Sequence, residues 1–182
     1  TVKNRARWYE LPGGFGARNF IQMSYGDVHR SFYTKDIMYA DARLYEIKTS
    51  KENAKLLSIS MNSTLTGIFY ELYGRANLGD GALDFKVYEA KMILMADPIL
   101  FKNANIPETL LTRKINNVFI ECGIEPESEI PIEKQEPNPL PDRAALDKIV
   151  FDALGLTGEE CKDVYRAVCR LVWNRISKAK SV

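Results

Sequence analysis

"MNSTLTGIFYELYGRANLGDGALDFKVYE", Met61 to Glu89, is the stretch on which the reading of this chain turns. Leu65, Ile68, Phe69, Leu72 and Tyr73 recur at helical spacing and stop at Gly74. Gly79 and Gly81 follow, and residues 82–95 then read as a strand with a break near Ala90. Glycine turns that hold phosphate have the form Gly-x-x-x-x-Gly-Lys-Ser/Thr or Gly-x-Gly-x-x-Gly, and they run strand, loop, helix. This loop matches neither form, and it follows a helix C-terminus, whose dipole repels anions. Gly74 is expected to cap the helix, and Gly79-Asp80-Gly81 to turn the chain into the strand. The stretch is thus a scaffold turn that carries two polar residues, Arg75 and Asn77.

Upstream, Ala54, Leu57, Ile59 and Met61 suggest a second helix, opened by a capping box at Thr49-Ser50-Lys51-Glu52. Asn62, Ser63 and Thr64 divide the two helices, because their side chains compete for backbone hydrogen bonds. Residues 6–48 read as β-rich: "RNFIQMSYG" and "HRSFYT" are aromatic and β-branched, and "ARLYEIK" alternates. "LPGGFGARN" is a turn or loop. Downstream, residues 107–121 look helical. Five prolines among acidic residues make 125–141 a linker or an extended crossing.

Asp142 is expected to cap a helix from Arg143 to Leu154 that ends at Gly155, and Thr157 with Glu160 forms a further capping box. The last helix carries a broad apolar stripe that includes Cys161, Val164, Tyr165, Val168, Cys169, Val172, Trp173 and Ile176. The last two helices are read as an antiparallel hairpin, with Val168 and Val172 packed on Leu146, Ile149 and Val150. The fold expectation is α+β: a β-rich N-terminal part, central helices and a C-terminal helical hairpin. Its divisions are 1–124, an acidic Pro-rich linker at 125–141, and 142–182.

Composition narrows the function. The 182 residues carry 25 basic and 24 acidic side chains, a net charge of +1, which argues against a wholly basic nucleic-acid binder. The charge is uneven, however. Residues 1–50 have 8 basic against 5 acidic, and 141–182 have 8 against 6, whereas 101–140 have 4 against 7. A polyanion would therefore meet the N-terminal third or the C-terminal helices. Three cysteines without metal-ligand spacing point to a reduced protein, and no apolar run reaches membrane-spanning length. A cytoplasmic location is expected. The chain opens at Thr1 without methionine, which reads as a processed protein or an excised fragment.

Few residues offer catalytic chemistry. His29 is the only histidine, so a histidine-cluster metal site is excluded. Glu89-Ala90-Lys91 with Asp84 upstream has the outline of a metal-dependent nuclease strand. Four intervening residues cannot bring two carboxylates back to one metal if 82–89 is a single strand. "KNRARWYELPGGFGARNF" interleaves Lys3, Arg5, Arg7 and Arg18 with Trp8, Tyr9, Phe15 and Phe20, a mixture suited to phosphates and base edges or to a solvated strand beside a core tryptophan.

"SISMNSTLTGIFYELYGRANLGDGALDFKVYEAKMI" resembles the target-recognition region of N6-adenine DNA methyltransferases, in the branch that includes fused restriction–modification enzymes and type I specificity subunits. There a helix leads to a Leu-Asn-Ser step, a second helix, a glycine-bearing turn, a strand and an exit proline. Here the step is Met61-Asn62-Ser63, with Met in place of Leu, and the exit proline is Pro98. "ARWYELP" and "LDKIVFDALGLTGEECKDVYRAVCRLVWNRISKAKSV" look like the C-terminal part of such enzymes. The Asn/Asp-Pro-Pro-Tyr/Phe motif that holds a flipped adenine is missing, as is the glycine-rich loop for S-adenosylmethionine.

The resemblance therefore implies a recognition domain without catalysis of its own. It would use no cofactor or metal in this chain, with S-adenosylmethionine bound by the parent's catalytic domain. Its partners would be double-stranded DNA and that catalytic domain, in cis or in trans, with no membrane. Arg7, Arg18, Asn19, Arg43, Arg75 and Asn77 are the expected DNA contacts, with Lys35 and Lys86 on phosphates. Two alternatives stand beside it. One is a protein-interaction module that docks a partner subunit through the C-terminal helices and Trp173. The other is a small nuclease using Asp84 and Glu89.

Overall fold

The computed structural model describes residues 16–40, 42–76 and 81–180. The architecture is α+β. Strands β1 (Ala17–Gln22), β3 (Ser31–Met38) and β4 (Leu44–Ile47) form an antiparallel sheet in the order β3-β1-β4. Strands β2 (Ser24–Tyr25) and β5 (Leu83–Asp84) pair separately. Helices α1 (Lys51–Met61) and α2 (Thr64–Tyr73) occupy the centre. Short helices α3 (Val87–Ala90), α4 (Glu108–Leu111) and α5 (Val118–Cys122) lead to the longer α6 (Pro141–Leu154) and α7 (Gly158–Lys180). No helix among the described residues is long and apolar enough to cross a membrane.

The α1–α2 step forms because each residue at it closes a backbone group. Ser50 caps α1 by accepting from Asn53 N, one residue later than the expected box. Asn62 ends α1, and Ser63 caps α2 by accepting from Thr66 N. Gly74 does end α2, yet its backbone is extended. Glycine is required there by space: an added Cβ would lie 2.9 Å from the Tyr70 carbonyl oxygen and 3.0 Å from the Phe85 ring. The expected strand over 82–95 is shorter. It ends at Asp84, and Glu89 caps α3 by accepting from Lys86 N at 2.7 Å. Local backbone hydrogen bonding outcompetes the alternating pattern there.

Three apolar clusters build the core. Ile21, Tyr25, Tyr70, Leu83 and Phe85 join the sheets to α2. Ile59, Phe101, Leu110, Leu146 and Val150 pack α6 onto α1. Val118, Cys122, Ile132, Val168 and Val172 pack α7 with α5. The expected packing of Val168 and Val172 on Leu146, Ile149 and Val150 is thereby corrected. The two helices meet near their joint, where the Phe151 and Tyr165 rings stand 5.8 Å apart, and then serve different clusters.

The α7 stripe is occupied within the chain: Val168, Cys169 and Val172 are fully buried, and half-buried Trp173 meets Phe119 edge-on. The 125–141 segment is an extended crossing and not a free tether. Ile132 is buried in the α7 cluster, and Asn138 N and Leu140 N donate to the carbonyls of Cys122 and Glu121. Helix α6 begins with Leu140 as its cap and Pro141 in its first turn, which displaces Asp142 from the expected capping role. Gly155 ends it in the left-handed conformation, and the Thr157–Glu160 box opens α7.

Candidate nucleic-acid interface

Strand β3 is an edge of its sheet, and Arg30 precedes it. The side chain of Asn62 fixes its first residue: Oδ1 accepts from Ser31 N at 2.8 Å, and Nδ2 donates to Ser31 O at 3.2 Å and to Ser58 O at 2.9 Å. The buried Tyr70 hydroxyl donates to Met61 O, which leaves it to accept from Ser31 Oγ at 2.9 Å. Burial pushes the Tyr70 phenol up to about 12, so it keeps its proton. The Asn62-Ser63 step therefore does more than break a helix. It locks the start of an edge strand to the helical core.

Further along, β3 bulges. Asn19 pairs with Tyr33 and Ala17 with Met38, so a short run of β1 faces a longer run of β3. Arg18 holds that bulge by donating from Nε to Lys35 O at 3.1 Å.

Between β3 and residues 110–115 lies a cleft of about 360 Å³. Arg30, Phe32 and Tyr33 form one wall, Arg113 and Lys114 stand in the other, and Ser58, Asn62 and Leu146 lie at its base. Among the described residues no acidic side chain lines it. The Arg30 guanidinium sits 5.5 Å from the Phe32 ring centroid, in cation–π range. A larger depression of about 710 Å³ beside residues 117–128 is lined by Glu125 and Glu127, which suits an anion poorly.

The expected contact residues are scattered. Arg7 and Asn77 lie outside the described residues. Asn19 is corrected: it is fully buried, and its Nδ2 donates to Ala54 O at 2.9 Å, tying β1 to α1 beyond the reach of DNA. Exposed Lys35 pairs with Glu108 at 2.8 Å, and that contact raises its pKa. Arg43 is exposed ahead of β4, towards the edge opposite β3. Arg75 and Lys86 gather at the two-stranded sheet. Arg75 Nε lies 2.5 Å from Glu89 Oε1 without hydrogen-bond alignment, its guanidinium is 5.9 Å from the Tyr88 ring centroid, and Lys86 meets Asp84 at 3.1 Å. Asp84 and Glu89, the nuclease pair, are thus each engaged by a cation.

The sequence reading passed over a buried polar junction behind the cleft. Arg143, on α6, donates from Nε to Glu121 Oε2 at 2.7 Å and from Nη1 to Asn62 O at 2.6 Å. Asp147, one turn on, accepts from Thr64 N at 2.7 Å and from Thr64 Oγ1 at 2.6 Å. Burial pushes the Asp147 carboxyl up; burial pushes Glu121 up as well, but the Arg143 charge and the hydrogen bonds from Asn116, Arg143 and Arg113 together outweigh it and lower its pKa. Arg113 donates from Nη2 to the same Glu121 oxygen and from Nε to Asp142, both at 2.7 Å. A cavity of about 20 Å³ beside Asn62, Asn116 and Arg143 has room for roughly one water. The available signal was the pairing of charged residues, Arg143 and Asp147, four apart on the buried side of a helix.

Comparison with protein-family models, curated proteins and solved structures finds no match to this chain.

Proposed function

We propose that this chain is the sequence-specific DNA recognition domain of an N6-adenine DNA methyltransferase or restriction–modification enzyme. It supplies the address, while a catalytic domain elsewhere binds S-adenosylmethionine and performs the transfer. The observation that carries this reading is the edge of β3: Arg30, Phe32 and Tyr33 face an open cleft with no acidic lining, and Asn62 of the resembling Asn-Ser step anchors the strand. Rigid elements that present basic and aromatic side chains suit phosphate positioning and contact with bases. The large helical part is then a support, with its polar groups spent internally.

The test is a fluorescence titration of a mixed-sequence duplex at two salt concentrations. Affinity in the non-specific range of about 10⁻⁴–10⁻⁶ M, falling steeply with salt, is expected of an isolated recognition domain. Arg30→Ala should weaken it. No salt-dependent association would overturn the reading. Incubation with labelled S-adenosylmethionine and DNA should transfer no methyl group.

A further inference from the structure

We propose that the cleft between β3 and residues 110–115 is a phosphodiester site, in which Arg113, Lys114 and Arg30 together receive one backbone phosphate of bound DNA. This deepens, and rests on, the DNA-recognition reading above. Arg113 carries the argument. Its side chain is 4% exposed, yet it contributes to the cleft wall. Two of its nitrogens are committed, Nε to Asp142 and Nη2 to Glu121. The third, Nη1, is buried and has no acceptor among the described residues. A guanidinium keeps its charge at any physiological pH, and a buried donor without an acceptor carries an uncompensated desolvation penalty. An oxygen in the cleft would remove it once the Arg113 side chain, itself part of the wall, turns that nitrogen outward.

The surroundings select an anion. Three cations line the cleft and no carboxylate does. Among the described residues neither Lys114 nor Arg30 is paired with a carboxylate. Arg30 is instead placed by the Phe32 ring and by a long contact from Nε to Gln22 Oε1 at 3.4 Å. The carboxylates behind the wall, Glu121 and Asp142, hold two nitrogens of the Arg113 fork, and the third is the one left for a tetrahedral oxyanion. Phe32 and Tyr33 beside it would contact the adjoining sugar. Free phosphate shares this chemistry, so the experiment must separate the two sources.

The experiment uses the whole chain with ¹⁵N-labelled arginine. Side-chain spectra are recorded with inorganic phosphate and, separately, with a short duplex, alongside titrations of Lys114→Glu and Arg30→Ala. We expect the duplex to shift the Arg113 resonance. Lys114→Glu should lower duplex affinity about tenfold at low salt and reduce the salt slope by about one, as loss of one phosphate contact requires. Both residues are exposed, so the variants should fold, with unchanged melting as the control. If the duplex binds while Arg113 stays still and both variants bind normally, the phosphate site is elsewhere and the DNA reading survives. If inorganic phosphate moves Arg113 but no duplex binds, the anion site stands and its assignment to DNA fails. If neither ligand moves Arg113 and no duplex binds, both proposals fall.

Discussion

Arg143 and Arg113 share one oxygen of Glu121, each at 2.7 Å, and both are almost entirely buried. They differ in what is left over. Arg143 spends its reach on Glu121, on the Asn62 carbonyl and, at 3.6 Å, on Asp147. It ties α6 to the α1–α2 step, and a tie has nothing to offer a ligand. Arg113 stands at the cleft with one nitrogen unsatisfied. The contrast separates polar groups that specify the fold from polar groups available for recognition. In this chain burial alone does not tell them apart, whereas hydrogen-bond accounting does.

The sharpest way to break the comparison is to remove the tie. Arg143→Ala would leave Asp147 and the Asn62 carbonyl without their cation in a low-dielectric junction, and Glu121 with Arg113 alone. Breaking a buried pair in this way costs about 3–5 kcal/mol. Urea denaturation followed by circular dichroism should show a midpoint shift of that order. A shift under about 1 kcal/mol would mean that the junction relaxes or admits water, and that Arg143 is no more a tie than Arg113.

A second internally satisfied network tests the same idea through pH. Glu71, its side chain 2% exposed, accepts from His29 Nε2 at 2.7 Å and from Arg175 Nε at 2.8 Å. Burial pushes its carboxyl up, but the contacts with His29 and Arg175 outweigh that, and the pKa falls below the ordinary range. A depressed native pKa adds stability that is complete above the unfolded value of about 4.3 and is lost as pH falls through the lower, native value. Glu71→Gln should cost about 1–3 kcal/mol near neutrality. The gap between parent and variant should narrow below about pH 4, as protonation removes the parent's advantage. A gap that stays constant down to acid unfolding would show that Glu71 contributes by packing and not by charge.

These networks mark the limit of what the sequence discloses. Helices α1, α2, α6 and α7, the Asn-Ser break, the end of α2 at Gly74 and the Thr157–Glu160 box were legible because each depends on neighbours a few residues apart, whereas residues 107–121, expected to be helical, hold only the short α4 and α5 with an irregular stretch between them. The reason for Gly74 was only partly so, since beside the Tyr70 carbonyl the crowding comes from Phe85 and Leu83, which packing brings to it. Asn19 looked like a loop residue after glycines, yet it pairs with Ala54, 35 residues away. Arg113 and Arg143 carry no local signature, because the carboxylate they share is brought to them by packing. Ile132 lies in a segment whose prolines and acids suggested a linker or an extended crossing, and the partners that bury it are distant in sequence.

The cleft side of the comparison can be sharpened without touching the core. Phe32→Ala removes the ring under Arg30 and part of one wall. Base or sugar stacking on an aromatic is worth about 1–3 kcal/mol by such truncation, so duplex affinity should fall by roughly 5- to 150-fold. Because Phe32 is half-buried, thermal melting must be measured in parallel. A loss of affinity that merely follows a loss of folded protein would assign Phe32 to the scaffold.

Lys35→Ala should have the smallest effect, and it asks how far along β3 the interface extends. Lys35 lies on the bulge that Arg18 holds, and its ammonium pairs with Glu108 at 2.8 Å in an exposed setting. Exposed pairs of this kind contribute little to folding, so the melting temperature should not move measurably. On DNA the pair has to exchange Glu108 for a phosphate. If it does, Lys35→Ala should weaken cognate and random duplexes alike and lower the salt slope by about one. Glu108→Gln should then act in the opposite sense and tighten binding, because it frees Lys35 in advance. Unchanged binding by both variants would end the interface at Tyr33 and confine recognition to the cleft. Opposite shifts would extend it over the bulge, with Glu108 competing with DNA for Lys35.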